Sequence, residues 1–142
     1  MVTIAIAIVV AQPAPPPRYV VSHDVTPPRN DLRRAFDAVC MVESKGDPRA
    51  VNPAEQAVGI AQIRPICLRD CNRIVGRARW TLADRLDPVK CYAMFVVYVQ
   101  YYAPGGGPEA WARCWNSGPK WREKIASTNG YWAKVKAALG GK

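Results

Sequence analysis

Residues 42–65 read VESKGDPRAVNPAEQAVGIAQIRP. Glu43 ends an apolar segment and is followed by residues 44–56, which contain glycine, Asp-Pro and Asn-Pro turn formers. A short apolar run, residues 57–63, then carries a single amide side chain, Gln62. This run is too short for its periodicity to distinguish a strand from the buried start of a helix. The pattern predicts a helix, a polar loop and a second buried segment, and it leaves open whether Glu43 is a solvated helix end or an acid placed for chemistry.

The segment before Glu43 is predicted to form the first helix. Asn30 is a good N-cap, and the helix would run through residues 31–43. Five small or apolar residues recur at helical spacing and define one buried face. These are Leu32, Ala35, Phe36, Val39 and Cys40, and either Val42 or Glu43 continues the face.

Four further helices are predicted after the polar loop. One covers residues 63–75, with Pro65 in its first turn. Asp87 as N-cap and Pro88 at the first helical position open an almost wholly apolar helix over residues 89–103. The valines and tyrosines of that segment also suit a strand, but its length and its strong cap favour a central, buried helix. The last two predicted helices cover residues 109–116 and 131–139.

Composition indicates one folded, cationic domain. The chain has 142 residues, which is enough for one core, and its 49% hydrophobic content with five tryptophans excludes a disordered protein. The net charge of +9 predicts an anionic partner: nucleic acid, an acidic membrane surface or an anionic polymer such as a cell wall. The basic residues are spread along the chain rather than gathered in a tail, which disfavours nucleic-acid binding.

Residues 1–29 differ in composition from the rest of the chain. Residues 2–11 are almost wholly apolar and resemble the core of a signal peptide, at about half the length of a membrane span. The sequence QPAPPPR that follows reads as an extended spacer, because proline lacks a backbone donor. We therefore predict a disordered leader and spacer over residues 1–29, export without membrane insertion, and one domain over residues 30–142.

The chain contains five cysteines and one histidine, His23, which falls in the predicted leader. No cysteine pair has CxxC spacing, so no metal site is predicted. Buried free thiols and one or two disulfides remain alternatives, because the number of cysteines is odd and most lie among apolar residues. The five are Cys40, Cys67, Cys71, Cys91 and Cys114.

Glu43 is the strongest candidate for chemistry. It ends an apolar helix face, so its carboxyl is expected to lie half out of the core, and burial raises the pKa of a carboxyl. A carboxyl that keeps its proton near neutral pH can donate it to a leaving oxygen. On composition alone, a solvated helix end remains the competing interpretation.

Three motifs occur in a recognisable order: Glu43-Ser44 followed by an Asn-Pro loop, GIAQIRP at residues 59–65, and RCWNSGP at residues 113–119. They resemble the motifs of the soluble lytic transglycosylases of the lysozyme-like superfamily, and the resemblance spans residues 38–119. It implies a mainly α, lysozyme-like helical domain with a substrate cleft and a short irregular or β-like segment after the catalytic helix.

The resemblance also implies roles for individual residues. Glu43 would be the general acid and then the base. Gln62 would line the cleft and bind sugar substituents, with a satisfied core amide as its alternative. Asn116 would bind substrate near the cleaved bond, with a helix C-cap as its alternative. Ser44 would form a hydrogen bond near the carboxylate or the substrate, with a simple cap on the turn as its alternative.

Two positions depart from the family pattern. Trp115 stands where the family usually has tyrosine, so it can stack on a sugar but lacks the phenolic hydroxyl. Ala61 replaces the usual methionine and is expected to alter the cleft wall. Among the tyrosines of the central helix, Tyr98 is the candidate to contact Glu43 and substrate.

The implied reaction cleaves the β-1,4 bond between N-acetylmuramic acid and N-acetylglucosamine of peptidoglycan. In the transglycosylases one glutamate suffices, because the C6 hydroxyl of the substrate attacks and gives a 1,6-anhydro sugar. A hydrolytic lysozyme using water would need a second carboxylate. Glu55 is the first suspect for that role, since Asp47 reads as a turn residue, Asp87 as an N-cap, and Asp84 as the partner of Thr81 in a capping box.

The remaining expectations concern partners and location. The partner would be peptidoglycan glycan strands, with no nucleic acid, no cofactor and a monomeric enzyme. The location would be periplasmic, extracellular, or associated with a phage or mobile element. A non-catalytic, lysozyme-like cell-wall binder is the alternative from another functional class.

Overall fold

The computed structural model describes residues 29–140. These residues form a mainly helical domain with one two-stranded sheet. The predicted leader and spacer lie outside the described residues, except for Arg29. The α-helices are α1 (Arg29–Ser44), α2 (Pro65–Val75), α3 (Pro88–Tyr102), α4 (Pro108–Ser117) and α5 (Asn129–Gly140). The strands are β1 (Val51–Asn52) and β2 (Ala57–Val58), and short 3-10 helices cover Leu82–Leu86, Trp121–Lys124 and Ala126–Thr128.

The helix α1 buries the face that the sequence predicted. All five residues of that face lie in the core, where α1 packs against α3, α4 and α5. The helix begins at Arg29, which makes Asn30 a helical residue rather than the predicted cap. The fully buried face ends at Cys40, and the partly buried Val42 and Glu43 follow at the edge of the core.

The helix α3 forms the centre of the domain, and the helix prediction for this segment is confirmed. The Asp87 carboxylate accepts hydrogen bonds from the backbone N–H groups of Val89 at 2.9 Å and Lys90 at 3.3 Å. These bonds satisfy donors that have no partner within the helix, and Pro88 lacks a donor to satisfy. The strong cap outweighs the strand preference of the valines and tyrosines.

The segment after α1 is a small hairpin rather than a continuous strand or helix. The antiparallel pairs are Val51 with Val58 and Asn52 with Ala57. The apolar run then turns at Gly59, where φ is +85°, and at Gln62, where φ is +51°. The predicted buried segment is thus two strand residues followed by a tight turn.

Gly59 is required by a close approach between two chain segments. A Cβ atom at this position would overlap the backbone carbonyl oxygen of Arg85 and lie 2.9 Å from its carbonyl carbon. The buried Arg85 side chain completes the junction by donating to the carbonyls of Gln56 at 2.9 Å and Ile63 at 3.0 Å. This contact fixes the hairpin on the 3-10 helix Leu82–Leu86, whose first turn is held by a 2.8 Å bond from the Thr81 N–H to the predicted partner, Asp84.

A second buried arginine, Arg113, joins α4 to the start of α5. Its guanidinium donates to the Ile125 carbonyl and the Thr128 hydroxyl, both at 2.8 Å, and to the Asn129 side-chain oxygen at 3.0 Å. We call this group the Arg113 clamp. It explains why α5 begins at Asn129, two residues before the predicted start, because Asn129 is held where the helix opens.

The five cysteines are free thiols, four of them buried and Cys67 partly exposed. Burial raises the pKa of the Cys91 thiol to about 11 and that of Cys114 to about 12. Within residues 29–140, no helix combines the length and apolar character that a membrane crossing requires.

Candidate active site

Glu43 lies in the last turn of α1, partly buried, with its carboxyl held by one phenol. The Tyr131 hydroxyl donates a hydrogen bond to Glu43 Oε1 at 2.7 Å. Burial raises the pKa of Glu43 above its ordinary value, while the bond from Tyr131 and, more weakly, the charge of Arg64 oppose that rise. A partly buried carboxyl with a raised pKa has the property that a general acid needs.

Tyr131 is the site residue that sequence reasoning missed. It lies 88 residues after Glu43, on the last helix, and no local pattern connects the two positions. Burial and the charge of Glu43 raise the pKa of Tyr131, so its hydroxyl stays protonated and acts as a donor. Among the described residues the bond to the Glu43 carboxyl comes from Tyr131 on α5, and no hydrogen bond links Tyr98, the predicted contact, to Glu43.

A cavity of about 830 Å³ runs beside Glu43. It brings together five of the six predicted site residues: Glu43, Gln62, Tyr98, Trp115 and Asn116. Ser44 is absent from the cavity wall. Its hydroxyl donates to the Ile60 carbonyl at 2.7 Å, which ties the end of α1 to the turn of the hairpin. The observed contact of Ser44 is therefore structural.

Gln62 is held in its unusual backbone conformation by its own side chain. Its amide nitrogen donates to the carbonyls of Ala50 at 3.1 Å and Gly59 at 3.0 Å. Both donors of the amide are then engaged by the hairpin, and the amide oxygen is the group left to face a ligand. Gln62 thus lines the cavity as an acceptor fixed by the fold.

The two departures from the motifs, Trp115 and Ala61, contact each other. The Trp115 indole N–H donates to the carbonyl of the fully buried Ala61 at 3.2 Å. The indole ring also packs against Phe95, with ring centroids 5.2 Å apart, and meets Tyr98 edge to face at 5.7 Å. The Trp115 ring, packed over Ala61 and against Phe95 and Tyr98, forms one wall of the cavity, which we call the aromatic wall. The exposed Asn116 lies beside it.

Two further carboxylates line the cavity, and each is paired with an arginine. Glu55, the predicted second carboxylate of a hydrolytic reaction, forms an ion pair with Arg64. Asp70, which the sequence did not single out, accepts from Arg73 at 2.7 Å and from the Tyr102 hydroxyl at 2.6 Å. Asp70 looked like one of many polar positions on α2, and only the packing of α2 on α3 brings Tyr102 to it.

The other three carboxylates that were considered for the role of a second catalytic group have local structural roles. Asp47 accepts the backbone N–H of Arg49 at 2.8 Å within a turn. Asp84 and Asp87 hold helix starts, as described above. None of the three lines the cavity. Across residues 29–140, no three or more histidine, cysteine or acidic side chains come together as metal ligands.

Over residues 28–130 the chain matches the family model described as the transglycosylase SLT domain. The chain belongs to this family. No curated protein and no solved structure matched the chain. The match covers most of the sequence and confirms the resemblance that the three motifs carried.

Membership in the SLT family sets the fold and the general activity. The helical architecture is that of a lysozyme-like SLT domain. At the level of the family, the activity is that of a peptidoglycan lytic transglycosylase, and peptidoglycan places the site of action outside the cytoplasm or in association with a phage. Tyr131 lies one residue beyond the matched segment.

Proposed function

We propose that this SLT domain cleaves the β-1,4 bond between N-acetylmuramic acid and N-acetylglucosamine, with Glu43 as its single catalytic acid and base. The observation that carries the proposal is the Glu43 carboxyl, partly buried, raised in pKa and bonded to Tyr131 at 2.7 Å on the wall of the 830 Å³ cavity. The net charge of +9 supports it separately, because a cationic enzyme is attracted to an anionic wall.

The reaction needs two proton transfers through Glu43. The protonated carboxyl gives its proton to the glycosidic oxygen as the bond from that oxygen to C1 of the muramic sugar breaks. The C6 hydroxyl of the same sugar then attacks C1, and the Glu43 carboxylate takes the hydroxyl proton. The product is a 1,6-anhydro sugar, and Glu43 is restored to its protonated form.

Substrate would be held by the cavity wall on either side of Glu43. The Gln62 amide oxygen can accept from a sugar hydroxyl or an N-acetyl N–H. Trp115 offers an aromatic face to a sugar ring, although its indole N–H is engaged by Ala61. Asn116 and Tyr98 stand beside it as polar partners. Ser44 enters only indirectly, by fixing the turn that carries Gln62.

Hydrolysis by water is the second candidate, since Glu55 and Asp70 also line the cavity. Transglycosylation is favoured because both carboxylates are engaged: Glu55 by Arg64, and Asp70 by Arg73 and Tyr102. A base that activates water needs a free lone pair directed at it.

We further propose that the chain acts as an exported or phage-delivered monomer.

Product analysis tests the choice of nucleophile. The full chain should release muropeptides that end in 1,6-anhydro-muramic acid, each lighter by one water than the hydrolytic product. Mass spectrometry of a digest of purified peptidoglycan measures this directly. A digest dominated by reducing ends would contradict transglycosylation and assign the base role to Glu55 or Asp70.

Tyr131→Phe tests the assignment of Glu43 as the acid. Loss of the hydroxyl removes a bond that stabilises the ionised carboxylate, so the pKa of Glu43 should rise further. Because the acid must be protonated, activity falls as the pH rises through this pKa, and the alkaline limb of the rate profile should move to higher pH. Tyr98→Phe removes a phenol from the cavity wall that makes no hydrogen bond to Glu43, so the limb should stay in place. A shift of the Tyr131→Phe limb to lower pH would contradict the assignment.

A further inference from the structure

A second groove, of about 520 Å³, lies between the start of α4, the 3-10 helix that opens at Trp121, and α5. It shares no lining residue with the Glu43 cavity. Its wall is mainly apolar and carries two indole rings, from Trp121 and Trp132, with Ile125 and Leu139 beside them. We call it the indole groove.

The charged side chains of the indole groove are already paired. They are Glu109 and Arg113, which form an ion pair at 2.7 Å within α4. Arg113 also donates to the groups of the Arg113 clamp. The rest of the wall therefore suits an apolar ligand that brings few polar groups of its own.

The chain enters the described domain close to this groove. Glu43 in the last turn of α1 contacts Tyr131 at the start of α5, and the two helices pack along each other, with Val135 fully buried farther along. They therefore run in opposite directions, and the start of α1 at Arg29 lies toward the end of α5. Leu139, near that end, lines the indole groove. Residues 1–28 thus join the domain beside the groove.

Residues 12–18, QPAPPPR, match the groove in length. Proline favours the extended polyproline II conformation, in which residues 13–17 would cover about 12 Å. Trp132 and Leu139 are seven residues apart on α5, which corresponds to about 10 Å along the helix. The proline segment can therefore lie along the part of α5 that lines the groove.

The connection to this segment is long enough. Residues 19–28 join it to Arg29, and an extended chain of that length spans about 30 Å. A helix with its side chains is about 10 Å across. Residues 12–18 can therefore pass the end of α5 and reach the groove while α1 stays in place.

Proline content favours this segment over the apolar leader, residues 2–11, as the occupant. Every leader residue brings a backbone N–H group that needs a partner when it is buried, and a mainly apolar wall offers few. Four of residues 13–17 are prolines, which lack that donor. Grooves lined by aromatic rings are also the surfaces to which proline-rich segments bind in general.

We propose that residues 12–18 dock in the indole groove of their own chain. The inference does not depend on the proposed function. A segment in this groove contacts α4, the 3-10 helix and α5 together, so it reinforces the Arg113 clamp and holds Tyr131 in place at the start of α5. Composition predicts disorder for residues 1–29 taken alone, and docking would order residues 12–18 through contacts made outside that segment.

Cross-linking locates the segment in the full chain. The photo-reactive amino acid p-benzoylphenylalanine is placed at Ala14, the purified protein is irradiated, and mass spectrometry maps the adducts. They should fall within one chain, on the residues that line the indole groove. Adducts spread over the domain would overturn the inference. Adducts between two chains would also overturn it, because they would assign the groove to a second copy.

Matched variants test whether the groove is responsible. Ile125→Ser removes an exposed apolar side chain from the wall, and its backbone carbonyl can still accept from Arg113. Val89→Ser removes an exposed apolar side chain outside the groove, and its backbone N–H can still donate to Asp87. The yield of groove adducts should fall severalfold in the first variant and stay unchanged in the second. An equal effect of the two would contradict docking.

Hydrogen exchange measures the effect on α5. A segment on a short tether has an effective concentration in the millimolar range, so docking with a Kd of about 0.1 mM would slow local opening about tenfold. Replacing Pro15, Pro16 and Pro17 by serine should therefore speed amide exchange in residues 132–139 about tenfold and leave α2 unchanged. Unchanged exchange in α5 would overturn the inference.

A control in the leader identifies the occupant. Replacing Ile4, Ile6 and Ile8 by serine changes the same number of residues in the segment that the argument sets aside. Exchange in α5 should match that of wild type. Faster exchange in this variant, with wild-type exchange in the proline variant, would assign the groove to the leader and overturn the proposal.

Discussion

Glu43→Gln should lower the rate of glycan cleavage by about a thousandfold, within the range attributed to general acid catalysis. Glutamine keeps the size and hydrogen-bonding capacity of glutamate but cannot donate a proton to a leaving oxygen. The Tyr131 hydroxyl can still donate to the amide oxygen at this position, so the wall of the cavity should keep its shape. Turbidity of a cell-wall suspension and release of soluble muropeptides would both measure the loss.

The same variant should fold at least as stably as wild type at neutral pH. Burial raises the folded-state pKa of Glu43 above its unfolded value. The group therefore contributes stability that is fully present below the unfolded pKa and is lost as the pH rises through the folded pKa. Glutamine does not ionise and avoids that loss, so the free energy of unfolding at pH 7 should equal or exceed that of wild type.

Glu55→Gln provides the control for Glu43. It removes a carboxylate from the same cavity. Because Glu55 forms an ion pair with Arg64, it is placed to carry a negative charge and not to donate a proton. Its effect on the rate should be far smaller than that of Glu43→Gln. If the two variants lost activity equally, the single-acid mechanism would fail, and a two-carboxylate hydrolysis would take its place. Full activity of Glu43→Gln would remove the assignment altogether.

Gly59→Ala should destabilise the domain by about 4 kcal/mol or prevent folding, which is the size of effect expected from a backbone clash added to an unfavourable φ. The methyl group would meet the Arg85 carbonyl, so the hairpin and the 3-10 helix Leu82–Leu86 could not both stay in place. Urea unfolding followed by tryptophan fluorescence would measure the loss.

Gly76→Ala isolates the contribution of the backbone angle. Gly76 ends α2 with φ of +72°, close to the +85° of Gly59, but a Cβ there would meet no atom within 4 Å. Alanine at this position should cost about 1 kcal/mol, the usual penalty for a left-handed conformation. The difference between the two variants is the effect of the clash. Equal losses would mean that the hairpin does not depend on its approach to Arg85.

Local signals in the sequence predicted most of the helices and much of the cavity. Asp87-Pro88 caps α3 through bonds to residues two and three positions later, so its signal lies within a single turn. Gln62 lies in the contiguous stretch that also holds Glu43, and its side chain bonds within that stretch. Where function and structure are both encoded by neighbouring residues, a motif is sufficient to find them.

The parts that the sequence did not predict depend on long-range packing. Tyr131 meets Glu43 because the Arg113 clamp sets the start of α5, and Asp70 meets Tyr102 because α2 packs on α3. The turn at Gly59 follows from a contact with Arg85, 26 positions away. None of these pairs leaves a periodic or spaced pattern, so a single sequence does not reveal them.

The Arg113 clamp has a consequence for how the domain would lose activity. Terminal helices commonly open before the rest of a domain unfolds. If α5 detached from the clamp, Tyr131 would leave Glu43 while α1, the hairpin and the aromatic wall remained folded. This opening would also withdraw the buried Val135 from the core, and the acid would change its affinity for protons before the remaining helices unfolded. Heat inactivation would therefore begin as a drift in the working pH of a protein whose other helices are still folded, ahead of its main melting transition.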